Sequence, residues 1–450
     1  MKKLIILLLP IAIFAQSFLI SNIPIPKTYI QDLDPYECDE SCMQEYLDHD
    51  MIFSFLSHAD KKLENAEHDE IRVMNISILN LGATVLTSKV RIAMLLPYKK
   101  IGKYASSTTN ATFAYLITKS HPFELKSYKL ESEEQEEIQR VLELIENDGF
   151  THVIAPLTLK GVQNIITLGS PLNIYFPTIN KKDVSTDSMY LTFGAIDYEA
   201  QSNLLVKEAV SPLVIFSDKS QTGQKLAHYE EQAFKYTTVI DTTEDNATQE
   251  IGLFDIFKGD VQDKEPKTKQ VLNEDNVVIK HSISRRRTNL EHYLKDKEEI
   301  INASFFINTP IVKSGMIMSQ LTLYDANATN VLSTQINYDP LLLSMTQYID
   351  RKDMIVANSI TVNNNVLIET NSLLGNDIVY DWINYSTTVG VDYFFHQITN
   401  EDREYEIVIE DAQMIYDIEL LRPSRSRFIK YVSSVETNTN EGESVEETEE

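Results

Sequence analysis

Short apolar runs alternate with amphipathic stretches along most of the chain. Val90 to Pro97 is an almost uninterrupted apolar run that ends in a proline, which is typical of a strand buried in a parallel sheet. Apolar residues recur at helical spacing from Ile138 to Ile145, behind the capping-box sequence Ser132 to Gln135. Thr151 to Ala155 returns to a strand-like run. A strand, a helix and a strand at this spacing predict a βαβ unit with a right-handed crossover.

The same alternation recurs further along the chain and predicts a mostly parallel α/β architecture. Near the C-terminal end the pattern predicts two strands around a turn. The predicted elements are the strands Leu213 to Phe216, Thr237 to Ile240, Ala303 to Ile307, Met354 to Ala357, Tyr405 to Glu410 and Gln413 to Leu420, and the helices Thr222 to Phe234 and Asn289 to Ile300.

The two ends of the chain differ from this middle part. Two lysines precede an apolar run of eleven residues from Leu4 to Phe14, and Ala15 follows it. This is the pattern of a cleaved signal peptide over residues 1–15, and it predicts export to the periplasm. The alternative, a membrane anchor, needs about 20 apolar residues. Residues 16–87 predict a small helical module, and residues 436–450 predict a disordered acidic tail.

Composition and charge narrow the range of functions. Apolar residues make up 43% of the 450-residue chain, which is ordinary for a folded protein of two or three domains. Asp and Glu total 67 against 40 Lys and Arg, which gives a net charge of −27. Proteins that bind nucleic acids or anionic membranes need a basic surface, so the sequence argues against both partners. The polar stretch 244–287 predicts a surface insertion.

The two cysteines, Cys38 and Cys42, lie four positions apart. In an exported chain such a pair favours a local disulfide, because positions four apart on a helix bring the Cα atoms just within bridging distance. Free thiols and a redox or metal role remain alternatives. A redox centre more often has the spacing Cys-x-x-Cys, and a zinc site needs four ligands.

The motifs of common catalytic sites do not occur in the sequence. No serine is followed by lysine three residues later, and neither a Gly-x-Ser-x-Gly elbow nor a Walker phosphate loop is found. The histidines match no zinc spacing, so we expect no enzymatic activity, no metal and no cofactor. Asn246 and Asn327 each begin an Asn-Ala-Thr sequon with an acid two residues earlier. This pattern resembles the extended bacterial sequon and makes both residues candidate glycosylation sites.

A resemblance to a known fold rests on four segments: Arg91 to Pro97, Val153 to Leu157, Phe193 to Gln201 and Pro212 to Asp218. Their order and spacing are similar to those of type 1 periplasmic-binding proteins. Within that fold they are most similar to the C-terminal domain of the penicillin-binding-protein activator (LpoA-like) family. The resemblance implies an α/β fold of two lobes, each a parallel sheet flanked by helices, behind the helical module. The implied bounds are 88–435 for the whole domain, about 88–210 plus part of 337–375 for lobe 1, and about 211–336 plus the C-terminal strands for lobe 2.

This resemblance implies a non-catalytic periplasmic protein that binds and regulates or scaffolds another envelope protein. The implied partner is a peptidoglycan synthase, that is, a penicillin-binding protein. The alternative is a receptor that binds an amino acid or a similar small ligand and delivers it to a transporter. A structural scaffold of a large envelope machine is a third interpretation. The first loop, Tyr98-Lys99-Lys100, departs from the small residues that solute-binding relatives carry there, and the chain lacks a lipidation cysteine.

A two-lobed fold predicts where ligands bind. In open α/β sheets they bind beyond the carboxyl ends of the strands. Ser106 to Asn110, predicted at a helix N-terminus, would present N–H groups to an anion. The alternative interpretation is that these residues are ordinary caps and loop ends. The candidate cleft residues are Tyr98, Lys99, Ser106, Thr108, Thr158, Asp218, Ser220 and Thr309.

Overall fold

The computed structural model describes residues 30, 38–59, 63, 65–78, 89–119, 121–240, 268–361 and 363–432. The predicted signal peptide, the acidic tail and Asn246 lie outside these residues. The first part of the predicted insertion, up to residue 267, also lies outside them.

The described strands alternate with helices along the chain. The strands are β1 (Val90–Leu96), β2 (Phe123–Lys129), β3 (His152–Ile154), β4 (Asn173–Phe176), β5 (Leu191–Phe193), β6 (Leu213–Ser217), β7 (Tyr236–Ile240), β8 (Thr268–Leu272), β9 (Val278–Ser282), β10 (Ser304–Asn308), β11 (Asn330–Ser333), β12 (Met354–Asn358), β13 (Val408–Glu410), β14 (Gln413–Ile415), β15 (Glu419–Pro423) and β16 (Phe428–Lys430). The α-helices are α1 (Glu40–Asp48), α2 (Ile52–His58), α3 (Ala66–Ile78), α4 (Tyr98–Ile101), α5 (Tyr104–Ile117), α6 (Gln135–Asn147), α7 (Leu159–Leu168), α8 (Tyr198–Val206), α9 (Gln221–Lys235), α10 (Glu291–Leu294), α11 (Ile311–Leu323), α12 (Pro340–Met345), α13 (Tyr348–Arg351), α14 (Asn365–Leu373) and α15 (Trp382–Thr399).

Two seven-stranded sheets form the cores of two lobes. The first sheet has the strand order β13-β14-β5-β4-β3-β1-β2, and the second has the order β16-β15-β12-β11-β10-β6-β9. The central strands of both sheets are parallel, and antiparallel pairs occur only toward one edge of each sheet within the described residues. Apolar clusters cover both faces of each sheet. The predicted two-lobed α/β fold with parallel sheets flanked by helices is confirmed.

The strands of these sheets are buried on both faces, as the apolar runs predicted. All residues of β1 except Arg91 are buried, and every residue of β6 and β10 is buried. Parallel sheets with helices on both faces need such continuous apolar strands. The chain passes between the two sheets three times, at residues 194–212, 359–407 and 416–418.

The strand pairing corrects the predicted lobe boundaries. β13 and β14 extend the first sheet, where Gln413 pairs with Phe193, and only β15 and β16 join the second. β12 belongs to the second sheet, so lobe 2 continues to Asn358 instead of ending near residue 336. β9 lies inside the predicted insertion 244–287 but pairs with β6 as an edge strand. These pairings join segments far apart in sequence, so a local apolar pattern does not determine them.

Two predicted elements of the second lobe also differ from the structure. The helix predicted over Asn289 to Ile300 is wrong, because α10 ends at Leu294 and Asp296 has φ +55°. That left-handed conformation ends a helix, and Asp adopts it more readily than most residues. β7 is the predicted strand at Thr237 to Ile240, but it pairs antiparallel with β8 in a separate ribbon.

The N-terminal module consists of α1, α2 and α3. Met43, Phe55 and Leu56 are buried at its centre. A disulfide joins Cys38 to Cys42 at the start of α1, with the Cα atoms 5.4 Å apart. The local disulfide is thus the alternative that the structure adopts.

A buried carboxyl group in lobe 2 limits stability at neutral pH. Glu230 on α9 is fully buried, and both its carboxyl oxygens lie within hydrogen-bond distance of Asn308 Nδ2, at 2.8 and 2.6 Å. Burial raises the pKa of Glu230 well above its ordinary value, and the Asn308 amide only partly opposes this. The folded state therefore favours the protonated carboxyl group.

The Glu230→Gln variant should be more stable than the natural protein at about pH 8, by about 1–2 kcal/mol. A raised carboxyl pKa means that stability is fully present below the unfolded-state pKa and falls as pH rises through the folded-state pKa. The variant does not lose stability in this way, so its advantage over the natural protein should shrink toward about pH 5. Urea unfolding of both proteins at about pH 5 and about pH 8 measures this difference.

The neighbouring Glu231→Gln variant is the matched control. Burial alone would raise the pKa of Glu231, but Lys235 and Lys280 lower it below its ordinary value. That substitution should reduce stability slightly or leave it unchanged. A Glu230→Gln protein that is less stable at both pH values would contradict the argument.

Candidate functional site in the cleft between the lobes

Two cavities lie in the cleft between the lobes. The lysine chamber encloses about 430 Å³ and the aromatic chamber about 330 Å³. Tyr198 and Trp382 line both chambers. The lysine chamber is further defined by Asn180, Lys182, Asp183, Asp197, Glu199, Lys225, Leu226 and Tyr229, and the aromatic chamber by Lys103, Tyr104, Gln335, Tyr338, Asp339, Asp377, Tyr380 and Asp381.

Helix starts position the two shared aromatic residues. Tyr198 is the first residue of α8, whose N-cap Asp197 accepts a hydrogen bond from Ala200 N. Trp382 is the first residue of α15, whose N-cap Asp381 accepts hydrogen bonds from the backbone N–H groups two and three residues later. The two rings are nearly perpendicular, with centroids 6.3 Å apart. They form the wall between the two chambers.

Basic and acidic groups alternate around the lysine chamber. Lys182 Nζ lies 2.7 Å from Asp197 Oδ2 and 3.3 Å from Glu199 Oε2. Lys225 on α9 of lobe 2 forms an ion pair with Asp183 of lobe 1. Burial would lower the pKa of each lysine, but the neighbouring carboxylates raise both above the ordinary value. Both lysines are therefore charged at neutral pH.

The aromatic chamber combines tyrosine rings with carboxylates. Tyr338 of lobe 2 and Tyr380 of lobe 1 have ring centroids 5.0 Å apart. Burial raises the pKa of Asp381, and its hydrogen bonds to backbone N–H groups and the charge of Lys103 oppose this. Residues of both lobes thus line this chamber. Its walls combine aromatic rings with more acidic than basic groups.

The first loop does not reach either chamber. Tyr98 and Lys99 lie in the short helix α4, and Lys99 Nζ pairs with Glu131 at 2.7 Å on the surface. Ser106 and Thr108 lie inside α5, which begins at Tyr104. Their hydroxyls donate to the carbonyls of earlier residues of the same turn, at 2.9 and 2.7 Å. The helix starts earlier than the pattern suggested, so Ser106 and Thr108 do not cap its N-terminus, and their role in the cleft stays a prediction.

Thr158 lies at the predicted strand end but binds a buried acid. Its backbone N–H donates to Glu133 Oε1 at 2.8 Å, and its hydroxyl donates to Glu133 Oε2. Glu133 is only 3% exposed. The predicted capping box at Ser132 to Gln135 is also wrong, because α6 begins only at Gln135 and its N-cap, Glu134, makes no side-chain capping bond.

The remaining candidates also make local hydrogen bonds. Ser220 is the N-cap of α9 and accepts from Gly223 N at 3.0 Å, and Asp218 accepts from Ser220. Thr309 is fully buried, with its hydroxyl 2.8 Å from that of Ser314. None of these three residues lines the lysine or the aromatic chamber. Asn327 is exposed and has φ +43°, and its glycosylation stays a prediction.

The sequence reasoning missed most of the residues that line the chambers. Tyr198 and its N-cap Asp197 lie in a segment that carried the resemblance, and Trp382 is the only tryptophan of the chain. An Asp before an aromatic residue at a helix start was the available signal for Asp381 and Trp382. Nothing local distinguishes Tyr104 or Tyr338 from the other tyrosines.

The residues that the structure describes contain no group of three or more His, Cys, Asp or Glu side chains arranged to hold a metal ion. None of the described helices is both long enough and apolar enough to cross a membrane.

Comparisons with known proteins support the fold. No family model matches the chain, and no curated protein sequence matches it. An ABC transporter substrate-binding protein from Sphaerobacter thermophilus is 12% identical, with a TM-score of 0.53, over 77% of this chain and 97% of that one. The substrate-binding protein LivJ from Streptococcus pneumoniae, solved in complex with isoleucine, is 9% identical, with a TM-score of 0.50, over 76% and 97%.

Full-length LpoA from Haemophilus influenzae is also similar. It is 8% identical, with a TM-score of 0.48, over 87% of this chain and 65% of that one. At these identities the likeness concerns the fold alone. The chain has the two-lobed type 1 periplasmic-binding-protein-like fold.

Proposed function

We propose that this protein is a non-catalytic periplasmic receptor whose two lobes close on a small solute. The observation that carries the proposal is the lysine chamber. It lies between the lobes and has the volume of a small-molecule site, for which about 300–1,000 Å³ is typical. It brings charged groups of both signs against aromatic walls, a combination that fixes the orientation of an amino acid or a similar solute.

The unusual first loop does not oppose this proposal. Tyr98 and Lys99 are bulky where solute-binding relatives carry small residues, but neither side chain lines a chamber. The groups that a solute would meet come instead from the Lys181–Asp183 turn, from the start of α8 and from α9. A solute with a carboxylate and an ammonium group would exchange partners with Lys225 and Asp183, so that each lobe holds one end of it.

A panel of amino acids and other small polar solutes tests the proposal by thermal unfolding. A bound solute at a hundredfold excess over its Kd should add about 2.7 kcal/mol to the free energy of unfolding. Lys225→Met should abolish this gain for solutes with a carboxylate. Lys99→Met removes the same charge from a surface ion pair outside the chamber, so it should retain the gain. A panel in which no solute stabilises the protein would contradict the proposal.

The second candidate function is binding to another envelope protein, with a peptidoglycan synthase as the partner of interest. It is favoured by contacts that join the lobes directly, namely the Lys225–Asp183 pair and the Tyr198–Trp382 contact. The helical module also leaves Phe53 61% exposed and Val73 54% exposed. Crosslinking in cells that recovers a synthase, together with an unresponsive solute panel, would establish this function instead.

A further inference from the structure

The aromatic chamber has an unbalanced negative charge. Three carboxylates, Asp339, Asp377 and Asp381, line it together with a single basic residue, Lys103. Each carboxylate uses Oδ1 to accept a backbone N–H, at 2.8 Å from Leu341 N in the case of Asp339. Within the described part of the chain, Oδ2 of each of the three has no hydrogen-bond partner. Three acceptors are thus available to a ligand.

The surroundings of Asp381 favour an organic cation as its counter-ion. Burial raises the pKa of Asp381, which means that its charge lacks full compensation where it lies. Tyr104, Tyr338, Tyr380 and Trp382 line the same space. Aromatic ring faces attract ammonium and guanidinium groups, most strongly where water is excluded.

The chain itself already places one cation in this chamber. Lys103 Nζ lies 5.2 Å from the ring centroid of Tyr104, within the distance for a cation–π contact. Lys103 is exposed and makes no salt bridge among the described residues, so a ligand can displace its ammonium group. An incoming cation would find an aromatic face and the free oxygens of the aspartates together.

We infer that the aromatic chamber binds an organic cation, either an alkylammonium or a guanidinium group, with the rings around it and the aspartates as counter-ions. The group belongs either to a free solute or to a basic side chain of a peptide. This inference rests on the proposed function, because it takes the cleft as the binding site and specifies the charge of what enters it.

The fluorescence of Trp382 reports on the chamber directly, because it is the only tryptophan of the chain. We expect a saturable change on titration with choline or agmatine, and none with dimethylbutanol, the neutral carbon isostere of choline. Sodium chloride at matched ionic strength controls for screening. A short peptide with a central arginine and blocked ends is titrated alongside. A response to the small amines alone identifies a free solute, and a response to the peptide alone identifies a protein partner.

Asp381→Asn and Asp377→Asn test the counter-ions. Asparagine keeps the Oδ1 acceptor that each helix start or turn needs, so both variants should fold. The Kd for the cation should rise by about tenfold in Asp381→Asn and by less in Asp377→Asn, because Asp381 is partly buried and Asp377 is exposed. Asp325→Asn, an equal loss of charge on an exposed turn, should leave the Kd unchanged.

Two results would overturn the inference: equal responses to choline and to its neutral isostere, or no response to any cationic probe. If the solute panel still stabilises the protein in either case, the proposed receptor function stands and only the charge preference is wrong. If neither the panel nor the cations bind, both proposals fail.

Discussion

The Gly194→Ala variant should lose at least about 3 kcal/mol of its free energy of unfolding. A Cβ atom on Gly194 would overlap the Tyr175 hydroxyl and would lie 2.8 Å from Ser386 Oγ. The backbone cannot move away easily, because Gly194 O lies 2.7 Å from both Ser386 Oγ and Tyr416 Oη. Gly194 N is also fixed, since it donates to Phe176 O at 2.9 Å.

The same contacts join the three segments that cross between the lobes. Gly194 begins the first crossing, Ser386 lies on α15 in the second, and Tyr416 begins the third. Tyr175 Oη donates to Ser386 O at 2.8 Å and is fully buried. Residues 195–199, which follow Gly194, line the lysine chamber. The variant should therefore also lose solute binding at temperatures where it is still folded.

Urea unfolding of Gly194→Ala and of a matched glycine variant measures this effect. Gly315 lies in α11, where an added Cβ would lie 3.1 Å from the flexible end of Met345 and 3.2 Å from Thr346 Cγ2, so Gly315→Ala should cost much less than Gly194→Ala. In a Tyr175→Ala background only the 2.8 Å approach to Ser386 Oγ remains, so Gly194→Ala should cost clearly less there than in the natural protein. Equal stability of the Gly194→Ala and Gly315→Ala proteins would show that the chain is not tightly packed around Gly194, where it crosses between the lobes.

Much of the fold could be predicted from the sequence, for a physical reason. Strands buried on both faces are continuous apolar runs, and β1, β6, β10 and β12 lie where such runs occur. Short edge strands carry less apolar surface. Which sheet β13 and β14 join depends on a contact between Gln413 and Phe193, so the sequence did not predict it.

The sequence predicted that the candidate site lies in the cleft, but it did not predict which side chains line the site. The rule that ligands bind beyond the carboxyl ends of strands indicated the cleft, but the polar residues at those ends cap helices. Thr158 and Ser220 both occupy N-cap positions, where Ser220 accepts from Gly223 N and Thr158 donates to Glu133. The chamber walls come from four separate segments, represented by Tyr104, Tyr198 and Tyr338 together with Trp382. These segments lie far apart in sequence and meet only where the two lobes face each other.

The Asp392→Asn variant should lose about 3–5 kcal/mol of its free energy of unfolding, because it leaves a partly buried arginine without its counter-ion. Asp392 is fully buried on α15. Its Oδ1 accepts from the Tyr115 hydroxyl at 2.7 Å and from Glu404 N at 2.8 Å. Its Oδ2 accepts from Arg403 Nε and from Tyr405 N, each at 3.3 Å.

An asparagine can replace only one of the two oxygens. Its amide N–H₂ would face either the Arg403 side chain and Tyr405 N–H or the Tyr115 hydroxyl and Glu404 N–H, so donors would oppose donors. Arg403 has little compensation elsewhere, since Nη1 donates to Ile407 O and Nη2 is buried without a partner in the described part of the chain. Urea unfolding should therefore separate Asp392→Asn widely from Asp402→Asn, a substitution of an exposed acid ten residues later.

A double-mutant cycle separates the charge effect from the hydrogen bonds. Arg403→Met removes the cation, so Asp392→Asn should cost less in that background by at least about 1 kcal/mol. The part of the cost that remains belongs to Tyr115 and to the backbone N–H groups of Glu404 and Tyr405. If the cost of Asp392→Asn is the same in both backgrounds, the carboxylate acts only as a hydrogen-bond acceptor. Arg403 then contributes nothing to its role in holding α15 against the segment that leads to β13.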